Sequence, residues 1–409
     1  MPHTMIDRPS APPETLLNRE LSILAFQRRV LSQAADESVP LLERLRFLCI
    51  VSSNLDEFFE IRFAGVREQV QQESTALING IAPHALYRQI SREVHGIVAE
   101  QYKLLNEEIL PGLAREGIVF LRRSIWNDAQ RAWIREYFMK EVMPVLTPVG
   151  LDPAHPFPRL LNKSLNFAVE LEGRDAFGRN SNAAIVQAPR ALPRVIRLPA
   201  ELTGVDNGFV FLSSVLHAHV DELFEGMNVL GCYQFRVTRN SDLFVDEEEV
   251  KDLRATLQGE LQQRNFGNAV RLEVADNISP HMSEFLLQQF GLEHEELYRV
   301  PGIVNLVRLM QVPDWVDRPD LKFQPFLPVV PKGLDRRDDL FATIRKGDVL
   351  LHHPFQSFTP VIDLIRAAAE DPQVVAIRMT VYRTGTDSEL MEQLLKAAQP
   401  NVEFVAEQA

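Results

Sequence analysis

Leu55, Phe58, Phe59, Arg62, Phe63, Val66 and Val70 recur at three- and four-residue steps. That period is the seam of a buried helix and does not suit a strand. Just before it stand Ser53, Asn54 and Asp56. The spacing predicts that the helix starts there, capped by Ser53-x-x-Asp56 or Asn54-x-x-Glu57. A helix start bares unpaired backbone N–H groups, which favour a polar or anionic ligand. Asn54 then has two readings. It is a cap, or its carboxamide, with donor and acceptor side by side, reads the N6/N7 edge of adenine.

The same helical period fills residues 16–113. Leu21, Leu24, Ala25, Leu31, Ala34 and Ala35 form one apolar face, and Leu41, Leu42, Leu45 and Leu48 form another. Ile90, Val94, Ile97, Val98, Tyr102 and Leu105 continue it until Pro111-Gly112, where a stop is expected. An N-terminal helical bundle over residues 15–115 follows. Residues 116–311 alternate short apolar runs with helical windows. The runs are Ile118–Leu121, Asn166–Leu171, Ala184–Gln187, Val195–Leu198, Phe209–Leu212, Tyr233–Thr238 and Val270–Glu273. The windows are Asp128–Lys140, Val215–Phe224, Glu247–Gln263 and His281–Phe290. This reads as a mixed α/β middle domain, and the whole chain as multidomain α+β.

Five prolines, Pro313, Pro319, Pro325, Pro328 and Pro331, then mark residues 312–332 as a linker. From residue 333 the pattern changes again. Val349–Leu351, Val374–Tyr382 and Val402–Val405 read as strands, with helices at Phe358–Ala369 and Ser388–Ala398 between them. Strands separated by helices imply a parallel sheet, whose ligands gather beyond the strands' carboxyl ends. His352-His353-Pro354 and Tyr382-Arg383-Thr384-Gly385 lie at such ends. Arg383 is either a phosphate-binding fork or a loop arginine paired with a carboxylate.

A chain of 409 residues is too long for one core. Its net charge of -13 argues against nucleic acid or an anionic membrane as the main partner, so a polyanion would need local arginine clusters. Cys49 and Cys232 are too far apart for a C-x-x-C site and fit a reducing compartment, with Cys49 read as core. No apolar run reaches transmembrane length, and Pro2, Pro9, Pro12 and Pro13 make residues 1–14 a loose leader. His217, His219 and His294 lack the spacing of a zinc helix and read as ordinary core or surface histidines.

Glu20-Leu21-Ser22, Val30-Leu31, Leu41-Leu42-Glu43-Arg44 and Ser53-Asn54-Leu55-Asp56-Glu57-Phe58 resemble the start of polyphosphate kinases. The likeness runs on to about residue 398, with Ile23 and Gln27 departing from the usual residues. It implies reversible transfer of the ATP γ-phosphate to inorganic polyphosphate, with ATP and ADP as nucleotides and Mg²⁺ as cofactor. It also implies a phosphohistidine intermediate and a homo-oligomer formed through the N-terminal domain. The location implied is the cytoplasm, or the periphery of the inner membrane. Asn54 takes the place of an ATP-binding residue. Arg383 takes that of a phosphate and magnesium-site residue, which as a cation would hold phosphate oxygens that the metal shares. Residues 333–409 are similar to the start of a phospholipase D-like catalytic domain.

The resemblance calls for a nucleophilic histidine in H-x-K, yet none of the ten histidines has lysine two residues later. The expectation is a chain truncated within its first catalytic domain, with that histidine beyond its end. The alternative is a non-catalytic fragment that binds nucleotide or associates with a full-length copy. A phospholipase D-like hydrolase also lacks its H-x-K, and the absence of G-K-[ST] and H-R-D argues against P-loop and protein kinases.

Overall fold

The computed structural model describes residues 16–152, 156–174, 182–241, 267–334, 339–380, 388–397 and 403–407. The chain divides into two compact units, Met1–Phe323 and Gln324–Ala409. The predicted window Glu247–Gln263 and the segment carrying Arg383 lie outside the described residues.

In the first unit, helix α1 (Arg19–Ala35) packs against α2 (Leu41–Glu57) and α4 (Pro83–Leu104). Asn18 caps α1 by accepting from the Leu21 N–H. Helix α2 runs without a break through a π turn, Phe58–Phe63, into α3 (Ala64–Gln71). The expected start at Ser53–Asp56 is therefore wrong, because the helix begins after Pro40, thirteen residues before Asn54 at its Leu41 start. Leu42, Leu45, Leu48, Cys49 and Leu55 are all fully buried. Burying that continuous seam outweighs the cap preference of Ser53 and Asn54, worth only about 1 kcal/mol. The Phe58 N–H meets the Asn54 and Leu55 carbonyls, so no helix start is open there.

The stop at Pro111-Gly112 is likewise corrected. A π turn at Leu105–Ile109 leads into α5 (Leu110–Arg115), and Pro111 sits in that helix's first turn, where its missing N–H does little harm. The chain leaves the helix at Gly117, whose φ of 75° favours glycine.

The middle region is built on two sheets. Strand β1 (Ile118–Phe120) pairs in parallel with β6 (Asn207–Phe211), which pairs antiparallel with β5 (Val195–Arg197). The larger sheet has the order β2-β4-β3-β7-β8-β9. Its strands are β2 (Thr147–Gly150), β3 (Leu165–Gly173), β4 (Ala183–Ala188), β7 (Met227–Arg239), β8 (Ala269–Ala275) and β9 (Leu297–Val300). All its pairs are antiparallel except β8 with β9. The sequence pattern missed β2 and β9. Both are four-residue edge strands, and β2 contains Pro148 and Gly150, which such edges tolerate. Helices α6 (Asp128–Tyr137), α7 (Ala200–Thr203), α8 (Leu212–His219) and α9 (Pro280–Phe290) accompany the sheets. Every residue of β8 is buried, so its side chains serve the layers on both faces of the sheet.

In the second unit, β10 (Ala376–Thr380) and β11 (Glu403–Glu407) pair in parallel, as the strand–helix alternation implies. Helices α10 (Leu340–Lys346), α11 (Thr359–Glu370) and α12 (Glu389–Ala397) belong to this unit. Val349–Leu351 forms no strand. Leu350 is 91% exposed, and three apolar residues without a partner strand gain nothing by pairing.

Candidate functional site

Helix α2 presents different residues to different neighbours. Asp56 points towards the large sheet, where Arg236 of β7 donates to both its oxygens at 2.8 and 2.9 Å. Arg271 of β8 bonds Glu273 at 2.9 Å and lies over the rings of Phe59 and Tyr298. Arg236 also bonds Glu273. These four charged side chains are buried, so their pairing offsets a large desolvation cost. One turn on, Glu60 accepts from Asn162 at 2.6 Å and from Lys163 at 2.9 Å. The network pins the helix to the sheet.

Asn54 faces the other way, towards α1. Its Nδ2 donates to Gln27 Oε1 at 2.9 Å, and Oδ1 accepts no bond among the described residues. A cleft of about 350 Å³ opens beside it, lined by Ile23, Gln27, Asn54, Glu57, Phe58, Ile61 and Arg62. Gln27 is buried while Asn54 is half-buried, so one amide anchors the other and leaves an acceptor turned to the cleft. Wide turns of this kind recur at functional sites. Here the π turn Phe58–Phe63 carries three of the lining residues.

Sequence reasoning placed Arg62 on the buried seam. The structure instead leaves it half-buried at the cleft, with no carboxylate partner among the described residues. The wider turn breaks the regular period, which is why spacing misassigned it. Gln27 was noticed only as a departure from the family pattern. Arg383, the other predicted site residue, lies outside the described residues. His352 and His353 are described: Gln356 Oε1 accepts from the His352 N–H at 2.8 Å, and the His353 ring meets the Gln356 carbonyl at 2.9 Å.

Cys49 is wholly buried, its thiol donating to the Leu306 carbonyl at 3.1 Å, and burial pushes its pKa up to about 12. That is a packed thiol rather than a nucleophile. His217 is neutral for the same reason: burial, then the nearby Arg123, pulls its pKa down to about 4. Among the described residues no group of three or more His, Cys, Asp or Glu could hold a metal ion. No described helix is long and apolar enough to cross a membrane.

Three family profiles match consecutive parts of the chain. They are the polyphosphate kinase N-terminal domain over residues 16–121, the middle domain over 129–312 and C-terminal domain 1 over 339–407. The polyphosphate kinase of Neisseria meningitidis serogroup C (strain 053442) is 59% identical over 384 residues, covering 94% of this chain and 56% of the relative. That of Burkholderia vietnamiensis (strain G4 / LMG 22486) is 57% identical over the same coverage. The crystal structure of polyphosphate kinase from Porphyromonas gingivalis is similar with a TM-score of 0.75 and 25% identity, covering 96% of this chain and 59% of that one. The chain thus spans little more than half the length of these relatives. Three successive domain matches and an α+β fold shared with a solved member lead to one conclusion: the chain belongs to the polyphosphate kinase family.

Proposed function

We propose that this chain serves the reversible transfer of the ATP γ-phosphate to inorganic polyphosphate. The observation that carries the reading is the cleft at Asn54, where, among the described residues, a carboxamide with an acceptor that takes no bond and a guanidinium without an ion pair line one space with Glu57. Asn54 hydrogen-bonds the adenine edge, and Phe58 and Ile61 supply apolar contact for the base. Arg62 supplies a cation suited to phosphate oxygens. Arg383 holds phosphate oxygens at the magnesium–phosphate site. The described residues do not form a metal-binding group, so the Mg²⁺ we propose arrives on the nucleotide's phosphates. Metal-bound phosphate is less repulsive to an incoming nucleophile.

The phosphoryl group passes through a phosphohistidine on a histidine outside these 409 residues, since none of the ten present stands in H-x-K. We assign residues 15–115, 116–311 and 333–409 to the helical, middle and first catalytic domains, with 312–332 linking the last two; the three profile matches support this division. We place the protein in the cytoplasm or at the inner-membrane periphery, as a homo-oligomer held through its helical domain. The second reading, nucleotide binding without transfer, is favoured by the missing H-x-K motif.

Incubation of the full-length protein that carries these 409 residues with γ-labelled ATP and polyphosphate separates the two. Binding of ATP without acid-labile label on the protein supports the second reading. Labelling with extension of polyphosphate supports the first, and failure to bind ATP at all removes the Asn54 cleft from both.

A further inference from the structure

The π turn Phe58–Phe63 presents Ile61 and Arg62 to the Asn54 cleft and sends Glu60 towards the large sheet. Glu60 is held there in three ways. Its carboxylate accepts from Asn162 Nδ2 at 2.6 Å and from Lys163 Nζ at 2.9 Å. Its backbone carbonyl accepts from the Ser241 N–H at 3.1 Å, a bond that leaves the helix altogether. The Glu60 side chain is only 12% exposed, so its attraction to Lys163 is poorly screened by water.

Both side-chain partners are themselves fixed. Asn162 is buried, and its Oδ1 accepts from the Arg239 N–H at 2.9 Å. A backbone N–H can only donate, so the amide's own donor must be the end that faces Glu60. The Asn162 carbonyl accepts from Arg190 at 2.8 Å. Lys163 has φ 57°, a left-handed conformation uncommon outside glycine, and its N–H donates to the Val237 carbonyl at 2.8 Å. Such a backbone persists only where its surroundings hold it, and here its side chain ends on the turn. The pin therefore runs from the loop before β3 and the end of β7 to one carboxylate.

A regular helical period would carry Arg62 onto the buried seam, and the wide turn brings it to the cleft instead. Whatever fixes that turn also fixes where the guanidinium stands. We propose that Glu60 is a positioning residue: by pinning the π turn to the large sheet it holds Arg62 where the nucleotide's phosphates are read. Glu60 does not line the cleft, so it acts through Arg62 and not on the nucleotide. The inference rests on the nucleotide reading of the Asn54 cleft and adds to it a residue on the far side of the helix. A guanidinium displaced by even a small distance loses its paired bonds to phosphoryl oxygens, whereas the Asn54 carboxamide, held by Gln27, is left in place.

Equilibrium titration of the full-length protein that carries these residues, with ATP and with adenosine, tests the assignment. Glu60→Gln keeps the side chain's shape and removes the charge that Lys163 meets. It is expected to weaken ATP binding about tenfold and to leave adenosine, which has no phosphate for Arg62, bound as by wild type. The double-mutant comparison decides: in an Arg62→Gln background, Glu60→Gln is expected to cost no further ATP affinity, because the group it positions is gone. An equal loss in both backgrounds, or adenosine weakened as much as ATP, makes Glu60 merely structural and overturns the proposal. Wild-type ATP affinity in Glu60→Gln, with Arg62→Gln weakened, overturns it too and leaves the nucleotide cleft standing. If Asn54→Ala and Arg62→Gln both bind ATP like wild type, the nucleotide reading itself falls and this inference with it. Should Glu60→Gln fail to fold by circular dichroism, Lys163→Met removes the same ion pair from its other end and is judged by the same comparison.

Discussion

Asn54 does at residue scale what its position in the sequence obscured. It is a mid-helix carboxamide held by Gln27, not a cap. Replacing Asn54 with Ala would remove the proposed adenine contact without disturbing the buried seam. ATP affinity is expected to fall about tenfold, read by equilibrium titration; affinity equal to wild type would sink the assignment. His217 makes a second prediction. Its neutral ring is packed edge-on against Phe167, and its folded pKa of about 4 lies below the ordinary value of 6.5. Between these two values the unfolded chain binds a proton that the folded one does not. Stability should therefore drop as pH falls from about 6.5 to about 4, by at most about 3 kcal/mol from this residue. Denaturation midpoints of His217→Gln should vary less with pH over that window than those of wild type. An identical dependence would remove His217 as the cause.

At the scale of elements, the decisive join is between α2 and the large sheet. Asp56 and Arg236 are both buried, and each depends on the other for charge compensation. Asp56→Ala leaves Arg236 with only Glu273, which Arg271 also uses. We expect a loss of about 3–5 kcal/mol in the urea-unfolding free energy of the first unit. A loss below about 1 kcal/mol would mean the cluster relaxes or admits water freely. The same join grips the helix through Asp56 and Glu60, from the side opposite Asn54. The seam from Leu42 to Phe63 was legible because its apolar spacing is unbroken. The π turns were not, since a single wide turn leaves no mark in composition.

At the scale of the whole molecule, the two units differ in what they bury. The first holds an extended core that includes Leu24, Leu45, Phe59, Ile97, Phe138 and Phe209. The second buries Ile365, Ala368, Ile377, Leu390 and Leu394, and exposes Phe326, Leu327, Leu350 and Val375. Exposed apolar side chains around a small core favour association and local opening. Limited proteolysis should therefore cut within residues 324–409 first, leaving a resistant product that ends near Phe323, identified by mass spectrometry. A resistant, monodisperse product spanning 340–409 would contradict this. Sequence alone determined the helical N-terminal region, seven of the strands in the first unit, the parallel pairing of β10 with β11, and the family. Each rests on local period or on short motifs, which survive without knowledge of the partner. Only the tertiary structure decided that Asn54 lies mid-helix and that Arg62 faces a cleft. Those facts depend on which distant residues meet, through burial and charge compensation, and no local pattern encodes that.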